Sequence, residues 1–274
     1  MDAAACGGNA AGTSDSPLAA DIGDAAGLKR AEAHAEKAVT LAPQDAEGYA
    51  ARGYLRNLYA WDWAGAEADF TKALLLEPAA GGVQAQYANL LGSLGRLPEA
   101  IAVAQKATKL DPLWASGWDA LGRYQIFGRD FPSADEALRR ALEIQPELAY
   151  ALSHMGTLQL LEDNAAQALA TCRKIDFEVL RLTCIAMAEH TLVHSKESQQ
   201  ALEELIAKYG KEAAYQIAEV FAWRGEKTEA FEWLERAYQQ RDGGLSDVKV
   251  DVLLAGLHGD PRFEALLRKM NLPV

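Results

Sequence analysis

Four short stretches end on proline: "AEKAVTLAP" (35–43), "FTKALLLEP" (70–78), "AQKATKLDP" (104–112) and "LRRALEIQP" (138–146). Pro43, Pro78, Pro112 and Pro146 lie 35, 34 and 34 residues apart. A fixed period in this range marks a chain built from stacked supersecondary units. Counting back from each proline, the same positions recur. Five back stand Ala38, Ala73, Ala107 and Ala141, and eight back Ala35, Phe70, Ala104 and Leu138. Twelve back stand Ala31, Ala66, Ala100 and Ala134. Small residues on one helical face let two helices approach closely, and a larger residue between them fills the gap. Proline ends the helix, because it lacks an N–H and disfavours a helical residue before it.

Upstream of each phrase lies a second apolar helix, most plainly "WDALGRYQ" with Trp118, Leu121, Gly122 and Gln125. The unit before it carries Gln84, Tyr87, Ala88 and Leu91, and the unit after it Leu152, Met155, Gly156 and Gln159. Two later units lack the terminal proline. One holds Ala214, Ile217, Ala218 and Phe221, then Ala230, Leu234 and Ala237, with Asp242 at the proline position. The other is "LRLTCIAMAEHTLVHSKESQQALEELIAKYG" (180–210), a helix–turn–helix. Six helical pairs and one degenerate leading unit are expected.

These residues resemble the tetratricopeptide repeat (TPR), whose helix pattern is W-x2-L-G-x2-Y followed by a small–large–small helix and proline. The resemblance covers about residues 26–242. It implies an all-α fold, a right-handed superhelix of antiparallel helix pairs. Residues 1–17 read as a flexible segment, 18–242 as the array, and 243–274 as a loop and a C-terminal capping helix. In "DPRFEALL", Asp260 is an N-cap and Pro261 occupies the first turn. Phe263, Leu266, Leu267 and Met270 form the apolar face that covers the array's end. The stretches 59–78 and 213–273 also look like the C-terminal TPR regions of bacterial multidomain signalling proteins. That likeness implies a regulatory or sensory role.

TPR arrays bind along a concave wall made by the first helix of each pair. The resemblance assigns to that wall Tyr54, Asn57, Leu58, Asn89, Ser93, Asp119, Arg123, Ile126, Phe127, Tyr150, Ser153, Thr157, Leu161, Tyr215, Glu219 and Trp223. Amides, one arginine and scattered aromatics suit an extended peptide. The carboxylate clamp of chaperone-binding TPRs is not expected. Asn89 fits one clamp position, but the accompanying lysines are missing. A peptide or protein partner in the groove is one reading, and self-association that sets oligomeric state is the other.

Charge narrows the partners. The net charge of −12 disfavours nucleic acid, and no polybasic stretch faces a membrane. No apolar run is long and clean enough to insert into one. The N-terminus lacks the basic start and apolar core of a signal peptide, so a cytoplasmic setting is expected. No nucleotide-binding, hydrolase or zinc-protease motif occurs, and neither a cofactor nor catalysis is expected. His190 and His194 share a helical face without a third ligand, so a metal is the remote reading. Asp62, Glu67 and Asp69 read as helix-start and surface charges. Cys172 and Cys184 read as buried free thiols in a reducing compartment. Tyr59, Trp61 and Trp63 fall where the repeat is 35 residues long, and are expected to plug an expanded turn. Trp63 should be buried against its own unit and the next repeat. Tyr59 or Trp61 should stay partly exposed.

Overall fold

The computed structural model describes residues 25–274. The expected flexible segment 1–17 and the short helix expected near 17–24 lie outside the described residues. The leading helix α1 (Ala25–Leu41) is followed by six antiparallel pairs among the described residues. They are α2/α3 (Ala46–Leu55, Trp63–Leu76), α4/α5 (Gly81–Ser93, Leu97–Leu110) and α6/α7 (Ala115–Phe127, Phe131–Ile144). Then come α8/α9 (Ala149–Leu161, Ala165–Cys172), α10/α11 (Glu178–Thr191, Ser195–Tyr209) and α12/α13 (Ala214–Trp223, Lys227–Gln240). The chain is all-helical, with the stacked-pair architecture of a TPR solenoid. The first helices of successive pairs pack on one another, α2 on α4 and so on to α10 on α12, and make one continuous wall.

The periodic residues do what their sizes dictate. Ala66, Ala100 and Ala134 are fully buried, as are Phe70 and Leu138 between the small positions. Gly122 shows why the crossing needs a missing side chain, since a Cβ there would lie 2.7 Å from Leu138 Cγ. The same holds for Gly156 on α8, where a Cβ would meet Cys184 Sγ at 2.6 Å.

That crossing also holds a correction. Cys172 and Cys184 are not free thiols but a disulfide, with Cα atoms 5.5 Å apart and both residues buried. The twelve-residue separation contains a tight turn from α9 into α10. Antiparallel packing brings the two thiols together beneath Gly156, which no count or spacing of cysteines reveals.

The 35-residue repeat is accommodated by a π-helical turn, Arg56–Ala60, which takes in an extra residue and ends with Trp61 in the left-handed region (φ 53°). Trp63 is buried as expected, in one core with Ala66, Phe70 and Leu90, and it also reaches the tail. Its indole Nε1–H donates to the Met270 carbonyl at 2.8 Å, and Trp61 lies 5.1 Å from the Tyr238 ring. The Arg241 guanidinium sits 4.0 Å over Trp61 and donates to the Tyr59 carbonyl. Tyr59 is half-buried, whereas Trp61 is only 3% exposed. The aromatic turn therefore ties the front of the array to its far end.

The tail does more than cap. Two 3-10 turns, Gly243–Asp247 and Val252–Leu257, precede α14 (Pro261–Lys269). The first contacts α4, α12 and the π-helical turn, and the second packs on α12. Residues 243–257 thus run along the inner wall, and α14 closes the end with Phe263, Leu266, Leu267 and Met270 buried. Asp260 caps α14 by accepting from Arg262 N–H at 2.9 Å.

Candidate functional site

The wall residues expected to bind a partner are brought to one side of the array, and most are already engaged. Arg123 and Ile126 are buried, and Phe127 is half-exposed on the last turn of α6. Tyr150, Ser153 and Thr157 follow from α8, and Tyr215 and Glu219 from α12. These eight line a single cavity of about 100 Å3, together with Phe177 and residues of α10 on one side and Asp247, Asp251 and Leu253 of the tail on the other.

The remaining wall residues lie outside it. Asn57 and Asn89 are buried and bonded to each other, Nδ2 to Oδ1 at 2.7 Å, across neighbouring repeats. Ser93 donates to the Asn89 carbonyl. Asp119 is fully buried behind His154, whose Nδ1 lies 2.7 Å from Asp119 Oδ1. Tyr54 packs edge-on to Tyr59. Burial pushes its hydroxyl pKa up. Trp223 sits at the array's end, where its Nε1–H donates to Thr191 Oγ1. Asn57, Asn89 and Asp119 therefore join repeats to one another from buried positions, with Asn57 Oδ1 and Asp119 Oδ2 left without a hydrogen-bond partner.

Electrostatics concentrates where the tail enters. Arg123 is buried and pairs with Asp247, while its second Nη donates to the Tyr124 hydroxyl. Its Nε and Asp247 Oδ1 have no hydrogen-bond partner. Tyr215 donates its hydroxyl to Asp251 Oδ2 at 2.8 Å, and Leu253 N–H donates to Oδ1. Asp242 accepts from the backbone N–H groups of Tyr215 and Gly244. Burial pushes three carboxyl groups up. Glu219 moves well above the usual range, with the nearby Asp251 charge adding to burial. Asp251 rises for the same first reason, and Asp242 rises to about 6. Asp247 and Asp251 could not be assigned to the groove from the repeat register, because they belong to the segment read as a loop, and Asp242 was read only as the residue at the proline position.

Elsewhere the suspected chemistry dissolves into structure. Asp69 is not a surface charge; it is 3% exposed and receives the guanidinium groups of both Arg52 and Arg56. Glu67 pairs with Arg96, and Asp62 caps α3 by accepting from Gly65 N–H. His194 bonds Glu189 at 2.7 Å, and burial lowers the pKa of His190. Among the described residues no group of three or more histidines, cysteines or carboxylates is placed to hold a metal ion.

With this geometry in hand, comparison with known proteins agrees on class. The sequence profile of the tetratricopeptide repeat matches residues 82–112, which span α4 and α5. No curated protein matches the sequence. Among solved structures the chain is similar to PilW, a widely conserved type IV pilus biogenesis factor, at 21% identity and a TM-score of 0.59. That match covers 69% of this chain and 90% of PilW. Cut9 from the APC/C Cut9–Hcn1 hetero-tetramer aligns over 89% of this chain but only 46% of its own, at 15% identity and a TM-score of 0.61. PilF of Pseudomonas aeruginosa aligns over 69% of this chain and 88% of its own, at 17% identity and a TM-score of 0.55. At these identities the likeness is one of fold, that of a TPR solenoid.

Proposed function

We propose that this chain is a non-catalytic TPR scaffold that binds a peptide or protein segment in its concave groove. One observation carries the reading. Eight wall residues assigned from the repeat register, on α6, α8 and α12, converge on the same cavity. Aromatic and aliphatic side chains line it together with hydroxyl and carboxyl groups. That combination suits an anchoring side chain with polar groups at its rim. A regulatory role, as implied by the likeness to multidomain signalling proteins, fits a groove partly held by the chain's own tail. A partner must either use the remaining cavity or displace residues 243–257. The buried disulfide supports an oxidising compartment over the cytoplasm. No helix among the described residues is long and apolar enough to cross a membrane.

Affinity capture with matched variants tests this reading. Thr157→Arg and Thr183→Arg place a long side chain in the cavity, while Leu75→Glu alters an exposed residue on α3. Wild type and Leu75→Glu are expected to retain the same protein, and the two cavity variants to lose it. Equal retention by all four would remove the groove from the binding surface.

A further inference from the structure

The tail is the one segment whose fit to the groove is defined residue by residue. Asp247 meets Arg123, Asp251 meets the Tyr215 hydroxyl, and the Met270 carbonyl meets Trp63. Leu245, Val248, Leu254, Leu257 and Met270 are at most 1% exposed. All three polar anchors lie on other helices, with partners 124, 36 and 207 residues away in sequence. The joint with the array is short. Arg241 ends α13 in the left-handed region (φ 56°), and Asp242, Gly243 and Gly244 follow. An arginine takes that conformation at an energetic cost that a straighter joint would relieve. A domain that docks an arm through a strained, short joint has the construction that favours exchange between copies.

We propose that two copies of this chain form a reciprocal dimer in which each copy's 243–274 arm lies in the other's groove. This rests on reading the groove as a binding surface and names its occupant. The dimer keeps the contacts between arm and groove that lie beyond the joint, so each copy completes the other's cavity with Asp247 and Asp251. An identical arm is the occupant that matches the groove at every anchor. An opened arm left uncovered would expose its apolar residues to water, which favours re-docking on a second copy. The isologous arrangement closes after two copies and does not propagate.

Charge exchange across the buried pair tests it. Arg123→Asp and Asp247→Arg each place like charges together in any closed chain and in any dimer with itself. When the two variants are unfolded, mixed and refolded, only the exchanged heterodimer satisfies both pairs. There the two substituted groups meet each other, and native Arg123 meets native Asp247. Light scattering is expected to give twice the chain mass for the mixture, with a melting temperature near wild type, while each variant alone melts lower. The wild-type chain, refolded at millimolar concentration and diluted, is expected to show a dimer fraction that decays slowly. A wild type that remains monomeric at every concentration overturns the proposal, whatever the variants do. So does an unrescued mixture when the doubly substituted chain refolds as a monomer. If the groove serves only a foreign segment, both results appear while the capture experiment still succeeds. If capture fails but the exchanged dimer forms, the partner reading falls and the dimer stands.

Discussion

Glu219 is a residue whose chemistry departs far from its type. Burial, and after it the neighbouring Asp251 charge, raise its pKa well above the usual carboxylate range. Asp251 and Asp242 are also pushed up by burial. A carboxyl with a raised folded pKa binds its proton more tightly in the folded chain. Its contribution to stability is therefore full below the unfolded pKa and is lost as pH rises through the folded pKa. For Asp242 the window runs from the usual 3.8 to about 6. At about 1.4 kcal/mol per pH unit, the loss across it is on the order of 3 kcal/mol. Burial of His190 and His258 lowers their pKa values and opposes this trend near neutrality. The Glu219→Gln variant keeps a donor toward Asp251 without a titrating group. It is expected to match wild type near pH 5, exceed it at pH 8, and show a flatter urea-midpoint slope between them. Identical slopes would mean that Glu219 ionises normally. Arg123 makes a complementary case. Arg123→Met strands Asp247 in the interior, a change of about 3–5 kcal/mol for a broken buried pair. Proteolysis within 243–260 is expected to accelerate in step with the lowered denaturation midpoint. The repeat register identified Arg123 as a wall residue. It did not reveal the partner, which stands 124 residues away in a segment without periodicity.

At the scale of elements, the proline period, the alanine ladder and the Asp260 cap could all be read directly, because each is a local rule about helix ends or helix crossings. What escaped depends on tertiary geometry. The extra residue of the second repeat was visible as a 35-residue spacing, but its resolution into a π-helical turn was not. The cysteines show the same divide. Each lies on its own helix, and only the short turn from α9 to α10 brings them within bonding reach beneath Gly156. Because α9 has only eight residues, the crosslink carries a large share of what fixes it against α10. Replacing both cysteines with serine is expected to destabilise the chain by roughly 3 kcal/mol, as for a closed loop of this length. Hydrogen exchange should rise first in α9 and the α10 residues that line the cavity. If reductant leaves the wild-type melting temperature unchanged under conditions where thiol labelling shows both cysteines reduced, the crosslink is not structural.

For the molecule as a whole, the decisive feature is that the array's two ends meet. An open superhelix presents its groove to any extended ligand, whereas here the first pair's turn, the last pair and α14 are locked together through Trp61, Trp63 and Arg241. The lock and the occupied groove depend on one another, because the arm that fills the wall is tethered at one end by Arg241 and at the other by Met270. Two substitutions separate the polar part of the lock from its packing. Trp63→Phe keeps an aromatic ring but removes the N–H that the Met270 carbonyl accepts, a loss of about 1 kcal/mol for one buried hydrogen bond and more if the carbonyl stays unpaired. Trp61→Ala removes a buried indole from between Tyr238 and Arg241, with a destabilisation of about 3–5 kcal/mol for an aromatic of this size. If closure is a property of the molecule, Trp61→Ala should increase the radius of gyration in solution scattering and speed hydrogen exchange along residues 243–272, while α4–α7 keep their protection. Trp63→Phe should show the same exchange pattern in weaker form without the change in size. Loss of protection spread evenly through the repeats would instead make Trp61 an ordinary core residue of its own pair.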